Sequence, residues 1–113
     1  MTPTAEMLEC LAAYAAGLKP PKEVERAATK QVLATISAAA PGRSVELRVP
    51  PFAAIQIVEG PNHRRGTPSA VVETSARTLV QLAVGAVAWE DAVRNATVTA
   101  SGERSNLSHL FPC

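Results

Sequence analysis

Ala70–Gly102, AVVETSARTLVQLAVGAVAWEDAVRNATVTASG, decides the fold. It divides into a strand, a helix, a short helix and a strand, and each boundary carries its own residue chemistry. Val71 and Val72 are β-branched, as a short strand prefers. Thr74 and Ser75 can each accept from an orphan N–H of a following helix, so one of them is its expected N-cap. Leu79, Leu82, Ala83 and Ala86 follow the spacing of one helical face, with Val80 and Val84 widening the stripe. Gly85 stands where a left-handed helix end is expected. Trp89, Ala92, Val93 and Ala96 make a second short apolar face, and Asn95 can take the left-handed turn that ends it. Thr97 to Ser101 then alternates, with Val98 and Ala100 on one face, until Gly102 breaks it.

Upstream, Thr2 and Pro3 have the chemistry of an N-cap and a first helical position. Met7, Leu11, Tyr14 and Leu18 repeat along one stripe, Cys10 lies beside it, and Gly17 and Pro20-Pro21 end the helix. A second helix begins near Pro21 and carries Val24, Ala28, Val32 and Ile36 along one side, with Ala27 and Leu33 beside them. Glu23 and Glu25 sit at its positive end, where the helix dipole favours them. Ala40-Pro41-Gly42 stops it.

Val45, Leu47 and Val49 alternate with Glu46 and Arg48, which predicts a strand with one wet face. Pro50-Pro51 removes two ladder donors and marks a bend or a link to the next strand. Phe52 to Val58 carries apolar residues on both faces, which predicts a central strand covered twice. Ser105 is the expected cap of a last helical turn, Asn106 to Leu110.

Composition bounds the function. The 113 residues make one domain, 1–113, with a helical part (1–41) and a part built of sheet and helices (44–113). Hydrophobic residues are 47% of the chain but aromatics only 4%, so large stacking surfaces are scarce. The net charge of +1 argues against a nucleic-acid role resting on bulk electrostatics. No apolar run approaches the roughly 20 residues of a membrane span, so no stable membrane insertion is expected. Met-Thr-Pro-Thr-Ala-Glu has no basic region before an apolar block and does not read as a secretory signal. Cys10 and Cys113 form no close pair and no metal-type spacing, which fits a reduced, cytoplasmic protein.

Catalytic chemistry has thin support in the residues. Asp91, the single aspartate, falls in the first turn of a helix, where an acidic residue serves the dipole. His63 and His109 stand apart in sequence, and neither sits in a recognisable ligand motif. Cys10 reads as a small buried hydrophobe rather than a nucleophile. No catalytic residue, metal or cofactor is therefore expected. His63, Arg64, Arg65 and Thr67, among glycines, can hold an anion or contact a partner, or can form a solvated loop tip whose Gly and Pro set turn geometry.

Ala70–Gly102 resembles the sterol carrier protein fold: a strand leading into a helix, a Gly-containing turn, a short helix entering on Asp91-Ala92, and a strand ending in Ser101-Gly102. Gly42-Arg43-Ser44-Val45-Glu46, Arg48 to Ala54, Glu59-Gly60-Pro61 and Arg65-Gly66-Thr67-Pro68 are similar to one branch in particular. That branch is the small stand-alone sterol-carrier-like proteins of actinobacteria, the bacterial sterol carrier orthologues. The resemblance implies an α+β fold, a mostly antiparallel four- to five-stranded sheet covered by helices, with two N-terminal helices. It implies a non-enzymatic protein that binds or transfers a hydrophobic small molecule, a fatty acyl or isoprenoid-like lipid, in an apolar tunnel or groove. Phe52, Ile55, Ile57, Leu79, Leu82, Ala83, Trp89 and Val93 are then the tunnel-lining residues. The alternative is an accessory module that binds a protein partner, or pairs as a homodimer, and regulates or scaffolds an enzyme.

Two features depart from that pattern. The larger sterol carrier proteins are similar in carrying a C-terminal helix that closes the tunnel, whereas this chain ends in Leu107 to Cys113 without one. Asn95-Ala96 also stands where the family typically has a glycine before the last strand.

Overall fold

The computed structural model describes residues 1–60 and 70–113. Helix α1 spans Ala5–Ala15, and its cap is Thr4, whose hydroxyl accepts the Met7 N–H at 3.1 Å. The start expected at Thr2-Pro3 is displaced because Thr4 both caps α1 and bonds Gln31 of the next helix. Met7, Cys10 and Tyr14 are buried, but Leu18, expected on the same stripe, is 66% exposed. It lies past Gly17, which takes φ +71 and closes the helix with bonds from Gly17 to Tyr14 and from Leu18 to Ala13. Helix α2, Lys22–Ala39, turns Ala28, Val32, Leu33 and Ile36 inward.

Strand β1 is Val45–Val49 and β2 is Ala53–Ile57, antiparallel to it. Pro50-Pro51 is a cis bond in the turn between them, closed by the Phe52 N–H on the Val49 carbonyl at 2.9 Å. Gly42 enters β1 against the backbone of Val58. A Cβ at Gly42 would lie 2.1 Å from the Val58 carbonyl oxygen, so only glycine fits.

Strand β3, Ala70–Thr74, runs parallel to β1 on its other side. Helix α3 (Ala76–Ala83) and helix α4 (Trp89–Arg94) follow, and strand β4, Val98–Ser101, returns antiparallel to β3. Ser75 is the cap of α3, its Oγ accepting the Thr78 N–H at 3.1 Å. Thr74, the other candidate, instead donates to the Thr97 carbonyl and ties β3 to the start of β4. Gly85 takes φ +78 as expected, but Ala96 (φ +60) and not Asn95 adopts the left-handed turn before β4. A short 3-10 turn, Ser108–Leu110, starts after Leu107, and the Asn106 Oδ1 just before it accepts the Ser108 N–H at 3.0 Å. The expected cap, Ser105, is not used.

Among the described residues the sheet has four strands in the order β2-β1-β3-β4, with two antiparallel pairings and one parallel pairing. The fold is α+β, with two N-terminal helices and a mixed sheet. Among the described strands Phe52–Val58 does not form a central one: β2 stands at the edge. The physical reason lies at its ends. Phe52 belongs to the turn, Val58 leaves the strand at φ +67, and the five residues between them alternate Ala53, Ile55 and Ile57 inward with Ala54 and Gln56 outward. Helix α2 packs on β2 and α3, and α1 packs on α2 and α3, so α1, α2 and α3 form one helical layer against the sheet.

Candidate functional site

The inner face of the sheet meets α2 and α3 in one apolar layer. Leu47, Val49 and Ile57 from the strands and Leu79, Leu82 and Ala83 from α3 are all 0–1% exposed. Ser75 sets the start of α3 so that Leu79, Leu82 and Ala83 fall on a single face, the stripe visible in the sequence. Trp89 is buried at the start of α4 and joins the same cluster. Phe52 and Ile55 pack against it half-buried, and the Arg26 guanidinium lies over the Phe52 ring at 6.0 Å. Val93 points away: it is 42% exposed on α4. Seven of the eight expected lining residues thus belong to or touch one cluster, and Val93 does not.

The segment after β4 covers one end of this layer. Leu107 is fully buried, and Phe111 stacks on Trp89 with centroids 6.0 Å apart and planes 9° from parallel. The Cys113 N–H donates to the Ala83 carbonyl at 3.0 Å, where α3 ends. Pro112 sits beside Gly85, close enough to touch a side chain there. Leu107, Phe111 and Cys113 thus fasten a short strap against α3 and α4. Leu107, Leu110 and Phe111 have the spacing of one helical face, the one signal of this strap in the sequence.

Polar groups inside the helical layer are satisfied rather than reactive. The Tyr14 hydroxyl donates to Glu25 at 2.5 Å, and the Arg77 guanidinium lies 5.5 Å from the Tyr14 ring centroid. Burial, then the bond to Glu25, pushes the Tyr14 phenol far above its ordinary value. Burial also raises the Cys10 and Cys113 thiols, which disfavours the nucleophilic thiolate in both. Asp91 is bound by Arg94 at 2.7 Å on the exposed side of α4, and His109 is exposed in the 3-10 turn. Among the described residues no three His, Cys, Asp or Glu side chains gather where a metal ion could sit. His63, Arg64, Arg65 and Thr67 lie outside the described residues.

Two cavities lie at the α3 and β4 side of the molecule and share Ser75 and Thr97 in their walls. One, of about 310 Å³, reaches Pro50, Glu73 and Thr99. The other, of about 390 Å³, opens between α3 and α4 and is lined by Arg77, Thr78, Gln81 and Asn95.

The family model described as bacterial SCP ortholog matches residues 21–113. The chain belongs to that family. No curated protein matches it. The matched span of this bacterial SCP ortholog starts at Pro21, where α2 begins, and includes the whole sheet, α3, α4 and the C-terminal strap; α1 lies outside it. The SCP-like domain suggests a carrier of lipids or other hydrophobic ligands, and proteins of this type are typically non-enzymatic. No helix among the described residues is long and apolar enough to cross a membrane.

Proposed function

We propose that this bacterial SCP ortholog binds or transfers a hydrophobic small molecule of the fatty acyl or isoprenoid-like class, as a single-domain cytoplasmic protein that performs no chemistry on it. The observation that supports this reading is the convergence of the family's sheet and helices on one apolar layer. Ile57, Leu79, Leu82, Ala83 and Trp89 form its wall and Phe52 and Ile55 its rim, while Val93 stays outside it on the exposed side of α4. A lipid chain seated there contributes roughly 0.8 kcal/mol per buried CH₂, so tight binding needs volume and no catalytic group. The wall is closed by side chains that are almost fully buried, so an occupant must part them.

Native mass spectrometry of freshly purified protein, with solvent extraction of any released molecule, tests the proposal. One recurrent apolar adduct per chain is the expected result and names the ligand class. A clean mass that added fatty acids do not shift sinks it.

A second reading, an accessory module that regulates or scaffolds a partner enzyme, draws on Leu8 and Leu18. They are 55% and 66% exposed in the segment outside the family match. A clean mass combined with a specific enzyme partner, lost on Leu8→Lys with Leu18→Lys, is the result this reading expects. Partner capture unchanged by that double substitution counts against it.

A further inference from the structure

We propose that the cavity of about 390 Å³ between α3 and α4 is a binding site for a small oxyanion, a carboxylate or phosphate group. Its lining includes three residues whose side chains carry strong donors, Arg77, Gln81 and Asn95. None of the three makes a side-chain hydrogen bond or an ion pair with a described residue. Thr78 and Thr97 add hydroxyl groups to the same walls. No aspartate or glutamate lines the cavity. Glu73 lies in the adjoining one, beyond the shared Ser75 and Thr97, and Asp91 of α4 is already bound by Arg94.

Arg77 is held for this role without being neutralised. Its guanidinium lies over the Tyr14 ring, and Tyr14 is itself fixed by its bond to Glu25. A cation placed by an aromatic face keeps its N–H groups available, and a planar guanidinium matches two oxygens of a carboxylate or phosphate at once. Val87 and Ala92 supply an apolar wall, so the fitting ligand carries a short apolar body behind its anionic group. The volume lies within the range of small-molecule sites. Ala92 and Val87 back this site onto the apolar cluster, but none of Phe52, Ile55, Ile57, Leu79, Leu82, Ala83 or Trp89 lines it, so it goes beyond the hydrophobic-ligand reading.

An NMR titration of the whole chain with inorganic phosphate, with dodecanoate and with methyl dodecanoate tests the site. The Arg77 Nε–H and the Gln81 and Asn95 side-chain NH₂ signals are expected to move saturably. Arg77→Gln is expected to weaken that response roughly tenfold or more. Gln81→Ala with Asn95→Ala, which leaves the Arg77–Tyr14 contact in place, is expected to weaken it severalfold and guards against a misfolded arginine variant. Movement by dodecanoate but not by its methyl ester or by phosphate identifies the anion as a lipid head group. Movement by phosphate as well identifies a free anion. Either result supports the site. No saturable movement with any probe, or an affinity unchanged in both variants, overturns it. If dodecanoate moves only signals of the apolar layer, the hydrophobic-ligand reading stands and this site falls.

Discussion

The two faces of the sheet are made by alternate residues of the same strands, yet they differ in almost every physical respect. On the inner face Val45, Leu47, Val49, Ile57 and Val72 are 0–1% exposed and pack against α2 and α3. On the outer face the register aligns Glu46 with Gln56 and Val71, and Arg48 with Ala54 and Glu73. That face carries an Arg48–Glu46 ion pair and a bond from the Arg43 Nε to Gln56 at 3.3 Å. The inner face derives its stability from area removed from water. Pairs on the outer face are screened by solvent and add little. A side chain's value here follows from its face rather than from how many partners it has.

Substitutions on the two faces can break that contrast. Leu79→Ala, within the inner layer, is expected to cost about 2–5 kcal/mol in a denaturant titration, because the layer cannot collapse fully around the lost methyl groups. A loss below about 1 kcal/mol would show that the layer is loosely packed.

Tyr14 probes the same interior by pH. Its phenol is held protonated by burial and by Glu25, so its folded ionisation lies above the unfolded value of about 10. The stabilisation is complete below that value and is withdrawn as pH rises beyond it. Tyr14 is the only tyrosine in the chain, so tyrosinate absorbance is expected to rise together with loss of the helical circular dichroism signal. Ionisation near pH 10 with the helical signal intact would contradict the buried hydrogen bond.

Phe111→Leu keeps an apolar side chain in the strap but removes the stack on Trp89. The expected cost is about 0.5–1.5 kcal/mol, with a shift in the emission of the single tryptophan. An unchanged spectrum would place the strap elsewhere in solution. The smallest effect belongs to the outer face: Arg48→Ala is expected to leave the denaturation midpoint where it was, despite its bond to Glu46. A clear drop in the midpoint would mean that this face is covered by something that excludes water.

Much of the fold was legible because it rests on short-range chemistry. The α3 stripe through Leu79, Leu82 and Ala83, its Ser75 cap, Gly85, the wet face of β1 and the inward side of α2 stand as their spacing predicts. Ala86, expected on the same stripe, lies past the end of α3 and is exposed. The misses have a common character. Thr4 replaced Thr2 as a cap because Gln31 of α2 bonds it, and Ala96 replaced Asn95 in the left-handed turn because the chain there must meet β4. Leu18 fits the helical stripe only if the helix continues, and Gly17 ends it first. In the candidate site, the apolar residues of α3 and the strands were readable from periodicity. Val93 is on the far side of a helix too short for periodicity to orient, and the donors of the polar cavity come from two helices whose approach no local pattern encodes.

By itself the sequence determined which segments are helix or strand, where most of them stop, and which side of each is apolar. Caps, glycine turns and side-chain alternation act within a few residues, and that range is visible in a linear chain. Only the tertiary structure decided that β2 stands at the edge of the described strands, that β1 pairs in parallel with β3, and that Phe111 closes onto Trp89. It alone brought Arg77, Gln81 and Asn95 to one cavity. Those outcomes depend on contacts between residues far apart in sequence, whose formation is a property of the whole packed layer.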